Sequence, residues 1–142
     1  MELEFAFICD YADAGQKLHA MGIGFDTLFA PQLPITQPNL HLVAQFIPSP
    51  VESGTREFGI HLIDADGQDV VPSLKGSVDV PPPAEPGIPG RVRIAVAFSH
   101  IKFDAYGMYS FYITIQGDEK VRVPLRVAKP KARQDPGFTP TR

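Results

Sequence analysis

The chain has 142 residues with 15 prolines, 12 glycines, one cysteine, no tryptophan and a formal net charge of −3. That length suits one domain whose core suffices without disulfide or metal, and the lone Cys9 rules out an intrachain disulfide framework and a Cys-rich zinc site. The acidic balance gives no support for nucleic-acid binding, no segment is long and apolar enough to span a membrane, and acids stand where a signal peptide carries basic residues, so a cytoplasmic protein is expected.

Residues 2–11 alternate, with Leu3, Phe5 and Phe7 on one face, Glu2 and Glu4 on the other and Ile8 apolar further in, which predicts a strand. Asp13 to Gln16 supply turn residues. Residues 17–30 read as a second strand, bent at Gly22-Ile23-Gly24, because glycine inside a strand pattern marks a bulge or bend. A phosphate loop is excluded: the third glycine of a dinucleotide loop is missing, and so is the Gly-Lys-Ser/Thr of a Walker loop. Pro31, Pro34 and Pro38 make an extended connection.

Residues 39–47 predict a third strand with Leu40, Leu42, Ala44 and Phe46 inward, and 56–64 a fourth with Phe58, Ile60 and Leu62 inward. Asp64-Ala65-Asp66-Gly67 signals a hairpin into a weaker strand over 69–80, bent near Pro72 and Gly76. The stretch PPPAEPGIPG, 81–90, is a stiff connection of polyproline type. Strands are predicted next over 91–101 (Val92, Ile94, Val96 and Phe98 inward), 107–116 (Tyr109, Phe111, Ile113 and Ile115 inward) and 120–128 (Val121, Val123, Leu125 and Val127 inward), with a turn at Gly117 to Lys120. Pro124, on the outward set, fits an edge strand that needs no ladder donor there.

Eight strands without helical periodicity predict an all-β fold: a single antiparallel β-sandwich over 1–128, immunoglobulin-like or C2-like. After it comes a flexible, basic, Pro-rich tail over 129–142, too poor in apolar residues to offset its ordering entropy. The run GMYSFYI, 107–113, resembles the penultimate strand of immunoglobulin-like and fibronectin-like sandwiches, which reads Gly-x-Tyr-x-Phe. The Cys-Trp-Cys signature of antibody domains does not accompany it.

No catalytic set emerges, and the chain is not expected to be an enzyme. There is no Gly-x-Ser-x-Gly elbow, Cys9 lies in an apolar run that suits a small buried side chain, and Asp10 and Asp13 sit where a strand meets its turn. The candidate metal ligands are Asp64, Asp66 and Asp69, spaced as in a calcium loop. Pro72 and Ser73 occupy the positions where an EF-hand needs its glutamate, and a hairpin turn already accounts for Asp66-Gly67, so no metal or other cofactor is expected. His19, His41, His61 and His100 each stand alone; His41 and His61 are expected as outward neighbours on adjacent strands.

Two stretches, LEFAFICDYADAGQKLHAMGIGFDTLFAPQLP (3–34) and EFGIHLIDADGQDVVPSLKGSVDVPPP (57–83), together with the Gly-x-Tyr-x-Phe strand, resemble a family of small bacterial proteins built on a domain of unknown function. The resemblance spans about residues 2–128 and leaves out the tail. It implies a bacterial β-sandwich and carries no activity. Where the family reads Gly-Ile-Phe-Asp, this chain has Gly22-Ile23-Gly24-Phe25-Asp26, one glycine longer, which suits a bulge. The expected role is a non-catalytic interaction or accessory module that binds another protein or itself, with neither nucleic acid nor membrane as partner. The alternative is a calcium- or carbohydrate-binding domain using Asp10, Asp13, Asp26 and Asp64.

Overall fold

The computed structural model describes residues 1–131. The rest of the predicted tail, 132–142, lies outside the described residues. Ten strands run in the order β1 (Glu2–Cys9), β2 (Tyr11–Ala14), β3 (Leu18–Met21), β4 (Thr27–Phe29), β5 (Ile35–Ile47), β6 (Gly54–Ile63), β7 (Leu74–Val80), β8 (Val92–Phe103), β9 (Gly107–Ile115) and β10 (Asp118–Ala128). They form a three-stranded sheet β1-β5-β8, a five-stranded sheet β4-β10-β9-β6-β7 and a two-stranded ribbon β2-β3. The fold is all-β, as expected. It is not wholly antiparallel: β4 runs parallel to β10, Thr27 facing Arg126 and Phe29 facing Ala128.

One hydrophobic core joins the two larger sheets. Leu40, Leu42, Ala44 and Phe46 of β5 and Val92 and Ile94 of β8 meet Ile60 and Leu62 of β6, Phe111 and Ile113 of β9, and Leu125 and Val127 of β10. Period-two patterning explains why: alternate residues of every long strand point one way, and those positions are apolar. The inward sets expected for the strands from β5 onward hold, with Phe58, Val96, Phe98, Val121 and Val123 half-buried against the core. At one end Tyr109 is buried and its hydroxyl donates to the carbonyl oxygen of Ala105 at 2.6 Å, pinning the β8–β9 corner.

The first strand departs from expectation. The register against β5 slips between Leu3 and Phe5, a bulge that inverts the phase of the remainder of β1. Ala6 and Ile8 then face the core beside Ala44 and Leu42, while Phe5 and Phe7 stack on the opposite face with ring centroids 5.8 Å apart. The predicted second strand, 17–30, is two strands in different sheets, β3 and β4. The break is the glycine pair: Gly22 and Gly24 have φ of 74° and 105°, which glycine alone adopts without strain. Gly22 has a second reason to lack a side chain, since a Cβ there would overlap the Asp10 carboxylate.

Two further details differ. The last strand is not at the sheet edge, because β4 pairs with it at Arg126–Ala128. Pro124 still fits, for it precedes that pairing and its missing donor leaves no rung empty. The β9–β10 turn is tighter than Gly117 to Lys120: Gln116 and Gly117, both at positive φ, connect Ile115 directly to Asp118.

Candidate functional site

The outer face of the five-stranded sheet carries an ordered row of polar and aromatic side chains. His61 on β6, Tyr112 on β9 and Arg122 on β10 are cross-strand partners along one rung. The His61 and Tyr112 rings lie flat on each other, centroids 4.4 Å apart and planes 9° apart. The Arg122 guanidinium covers the Tyr112 ring from the other side, 5.1 Å from its centroid, and is itself paired with Glu119. Each such cross-strand contact is worth about 0.2–1 kcal/mol. Together they hold three long side chains in one conformation, which lowers the entropy cost of using them in a contact.

A second rung, nearer one end, is formed by Thr27, Arg126 and Met108 across β4, β10 and β9. Met108 is 49 % exposed, and with Asp26, Thr27, Pro124 and Arg126 it lines a shallow depression. Asp26 accepts a hydrogen bond from the Thr27 hydroxyl at 2.9 Å. Tyr, Arg and Met are enriched in protein interfaces, and Tyr and Arg in their energetic centres.

The outer face of the three-stranded sheet is different. Gln45 is 7 % exposed although it points away from the core. Its amide donates to Glu4 at 2.9 Å, and its carbonyl accepts from Arg93 Nε at 2.9 Å, while Arg91 Nε lies 2.7 Å from the same Glu4 carboxylate. The Gln45 bond, reinforced by Arg91, holds the Glu4 carboxyl below its ordinary value against partial desolvation. Phe5 and Phe7 flank this network.

The residues singled out from sequence do not gather into one site. Asp64 caps its own turn: its Oδ1 accepts from the backbone amides of Asp66 and Gln68, each at 2.9 Å. Asp69 bridges back to Ile63. Asp64 and Asp104 both lie near enough to Tyr109 to act on its phenol, which burial chiefly pushes above its ordinary value, the bond to Ala105 opposing. Among the described residues no three acidic, histidine or cysteine side chains are grouped to hold a metal ion. Asp10 lies against Gly22, Asp13 faces His19 in the ribbon, and Asp26 precedes β4.

His41 and His61 are not neighbours, because β5 and β6 belong to different sheets. His41 instead packs at 5.3 Å from Tyr11. Cys9 is fully buried and its thiol donates weakly to the Tyr11 carbonyl; burial pushes the thiol up, that bond opposes, and Asp10 adds to the rise. No helix among the described residues is long and apolar enough to cross a membrane.

The His61–Tyr112–Arg122 rung escaped the sequence because its register depends on a bulge. The turn sets Ile115 against Asp118 and Thr114 against Glu119; the ladder then skips Lys120, so Tyr112 meets Arg122 rather than Val121. A hint was present in the alternation itself: Val121 and Ile113 are both inward residues and must face each other.

A family model, DUF6941, described as a family of unknown function, matches residues 4–128. No curated protein matches the chain. The chain belongs to the DUF6941 family, and the match ends where β10 ends, at Ala128.

Proposed function

We propose that this protein is a non-catalytic interaction module of the bacterial cytoplasm, an immunoglobulin-like β-sandwich that binds a protein partner through the outer face of its five-stranded sheet. The strand orders β1-β5-β8 and β4-β10-β9-β6-β7 support the sandwich reading. So does the Tyr109 hydroxyl bonded back to Ala105, the arrangement known as a tyrosine corner. A single free thiol suits a reducing compartment.

The observation that carries the functional reading is the preorganised rung His61–Tyr112–Arg122 beside exposed Met108. A sugar would stack on an open aromatic face, but both faces of Tyr112 are already covered. A calcium ion would need several carboxylates brought together, and among the described residues no three are grouped to hold one. A protein surface asks for neither; it takes up flat, rigid polar-aromatic area. The test is affinity capture from the native host with the wild-type chain and with Tyr112→Ala/Arg122→Ala as baits. The expected result is a defined partner retained by the first and lost by the second, with unchanged circular dichroism. Equal capture by both baits, or none by either, would overturn the reading.

A further inference from the structure

An exposed sheet edge is a row of unpaired backbone donors and acceptors, and native proteins blunt such edges with charges, prolines, bulges or brevity. The two larger sheets have four edge strands: β1, β8, β4 and β7. Three are blunted. β1 carries a bulge at Glu4, between Leu3 and Phe5, with Glu2 two residues before it. β4 is three residues long. β7 presents Lys75 and Asp79 and is bounded by Pro72 and Pro81.

β8 has none of these devices over half of its length. From Ile94 to Ser99 it reads IAVAFS, without charge, proline or glycine, and its register against β5 is unbroken from Val92 to Ser99. Ala95, Ala97 and Ser99 are exposed, and Val96 and Phe98 sit half-buried at the rim of the core. Among the described residues no backbone hydrogen bond from outside the sheet reaches this stretch. The connection over 81–90, which precedes β8, folds on itself through a bridge between Glu85 and Ile88.

We infer that β8 is a dimer seam: two copies of the chain pair β8 to β8, antiparallel about a two-fold axis through Val96, making one sheet of six strands. The strand is complementary to itself in that register. On the core side Ile94 faces the second copy's Phe98, and Val96 faces Val96. On the outer side Ala95 faces Ala97, small against small. Arg93 falls opposite Ser99, so the two arginines do not oppose each other, and like charges across a ladder are what such pairing must avoid. The seam does not use the His61–Tyr112–Arg122 face and is independent of the partner proposed for that face.

The test is sedimentation of the full chain. A single strand pair is a small interface, so the measurement runs up to about 100 μM. The wild type is expected to reach the mass of two chains. Ala95→Lys/Ala97→Lys places lysines directly opposite lysines and is expected to raise the dissociation constant about tenfold or more. Ser77→Lys on β7 is the control and leaves the dimer unchanged, as does Tyr112→Ala/Arg122→Ala. Amide exchange on the unmodified chain gives a reading free of variants: the outward amides of 93–99 become slower as concentration rises. A wild type monomeric throughout, amides indifferent to concentration, or a dimer broken by Ser77→Lys rather than by the β8 pair would each overturn the seam.

Discussion

The outer faces of the two larger sheets are built from the same alternation and end in opposite physical states. On the five-stranded sheet the central strand β9 presents Tyr112, half-buried only by its rung partners. On the three-stranded sheet the central strand β5 presents Val43 and Gln45, both buried on the side away from the core. The neighbours account for the difference. The strands beside β5 supply Phe5, Phe7 and Arg93, long enough to fold over it, and Tyr11 of the β2-β3 ribbon lies against His41 on the same face. The outward set of β5 therefore behaves as a second, thin core, with Gln45 satisfied by Glu4 and Arg93 rather than by water. On the five-stranded sheet Tyr112 has His61 and Arg122 over it, and Arg122 is itself exposed.

The sharpest way to test this division is to remove what the two faces share. Phe111 is fully buried and packs against Phe98 of the other sheet at 5.3 Å. Phe111→Ala should cost about 3–5 kcal/mol. Both faces should be lost in one denaturant transition, read by circular dichroism and by the amide exchange of β5 and β9 together. Two separate transitions would show that the layers are not held by one core.

Tyr109→Phe should come next. It removes the hydrogen bond to the carbonyl of Ala105, which is exposed enough to turn to water, and should cost about 0.5–1.5 kcal/mol. It should also change the alkaline limb. The folded phenol titrates above its ordinary value of 10, so the wild type gains stability from the neutral hydroxyl below that value and loses it as pH rises further. The variant should show a smaller loss in a pH series of chemical denaturations, what remains coming from groups such as the raised Cys9 thiol.

A smaller effect is expected where the two layers are tied at their start. The Met1 ammonium lies 2.7 Å from Glu52 Oε1, between β5 and β6, and the same carboxylate accepts from the Ser49 amide at 2.9 Å. The hydrogen bond from the ammonium, with that from Ser49, holds the Glu52 carboxyl at about 2, against an ordinary value of 4.5. A depressed carboxyl contributes above its unfolded value and loses the contribution as pH falls, here from 4.5 toward 2. Glu52→Gln keeps an acceptor for Ser49 but removes the charge. It should cost about 1 kcal/mol at neutral pH, discounted because water reaches the carboxylate, and should flatten the acid limb of the stability curve. An acid limb as steep as that of the wild type would mean that other carboxylates set it.

Much of this architecture was readable in residue order, and the unread part has specific causes. From β5 onward, inward sets such as Leu40, Leu42, Ala44 and Phe46 could be assigned from alternation alone, because apolar area decides which face turns in. The same rule misplaces Phe5 and Phe7, since one unpaired residue in β1 reverses every side chain after it. Apolar aromatics on an outward face look like core until the bulge is known. The parallel pairing of β4 with β10 spans three residues, too few to leave any period. The Tyr112 rung needed the skipped Lys120 to bring Arg122 into line. Local spacing encodes which way a side chain points, but not which strand lies beside it.

The last test sets the two outer faces against each other directly, through truncations at equivalent places. Gln45→Ala removes two charge-assisted hydrogen bonds from a group shielded by its neighbours, leaving Glu4 and Arg93 to find water at the rim. The expected cost is about 1–1.5 kcal/mol. Tyr112→Ala removes a larger side chain from the wider sheet, yet it exposes only partners that already touch solvent, and about 0.5 kcal/mol is expected. Size alone would predict the reverse order, since the tyrosine loses far more atoms. Denaturant midpoints with equal slopes would decide it: a larger loss for Tyr112→Ala would mean that the outward row of the five-stranded sheet is held as tightly as that of the three-stranded one.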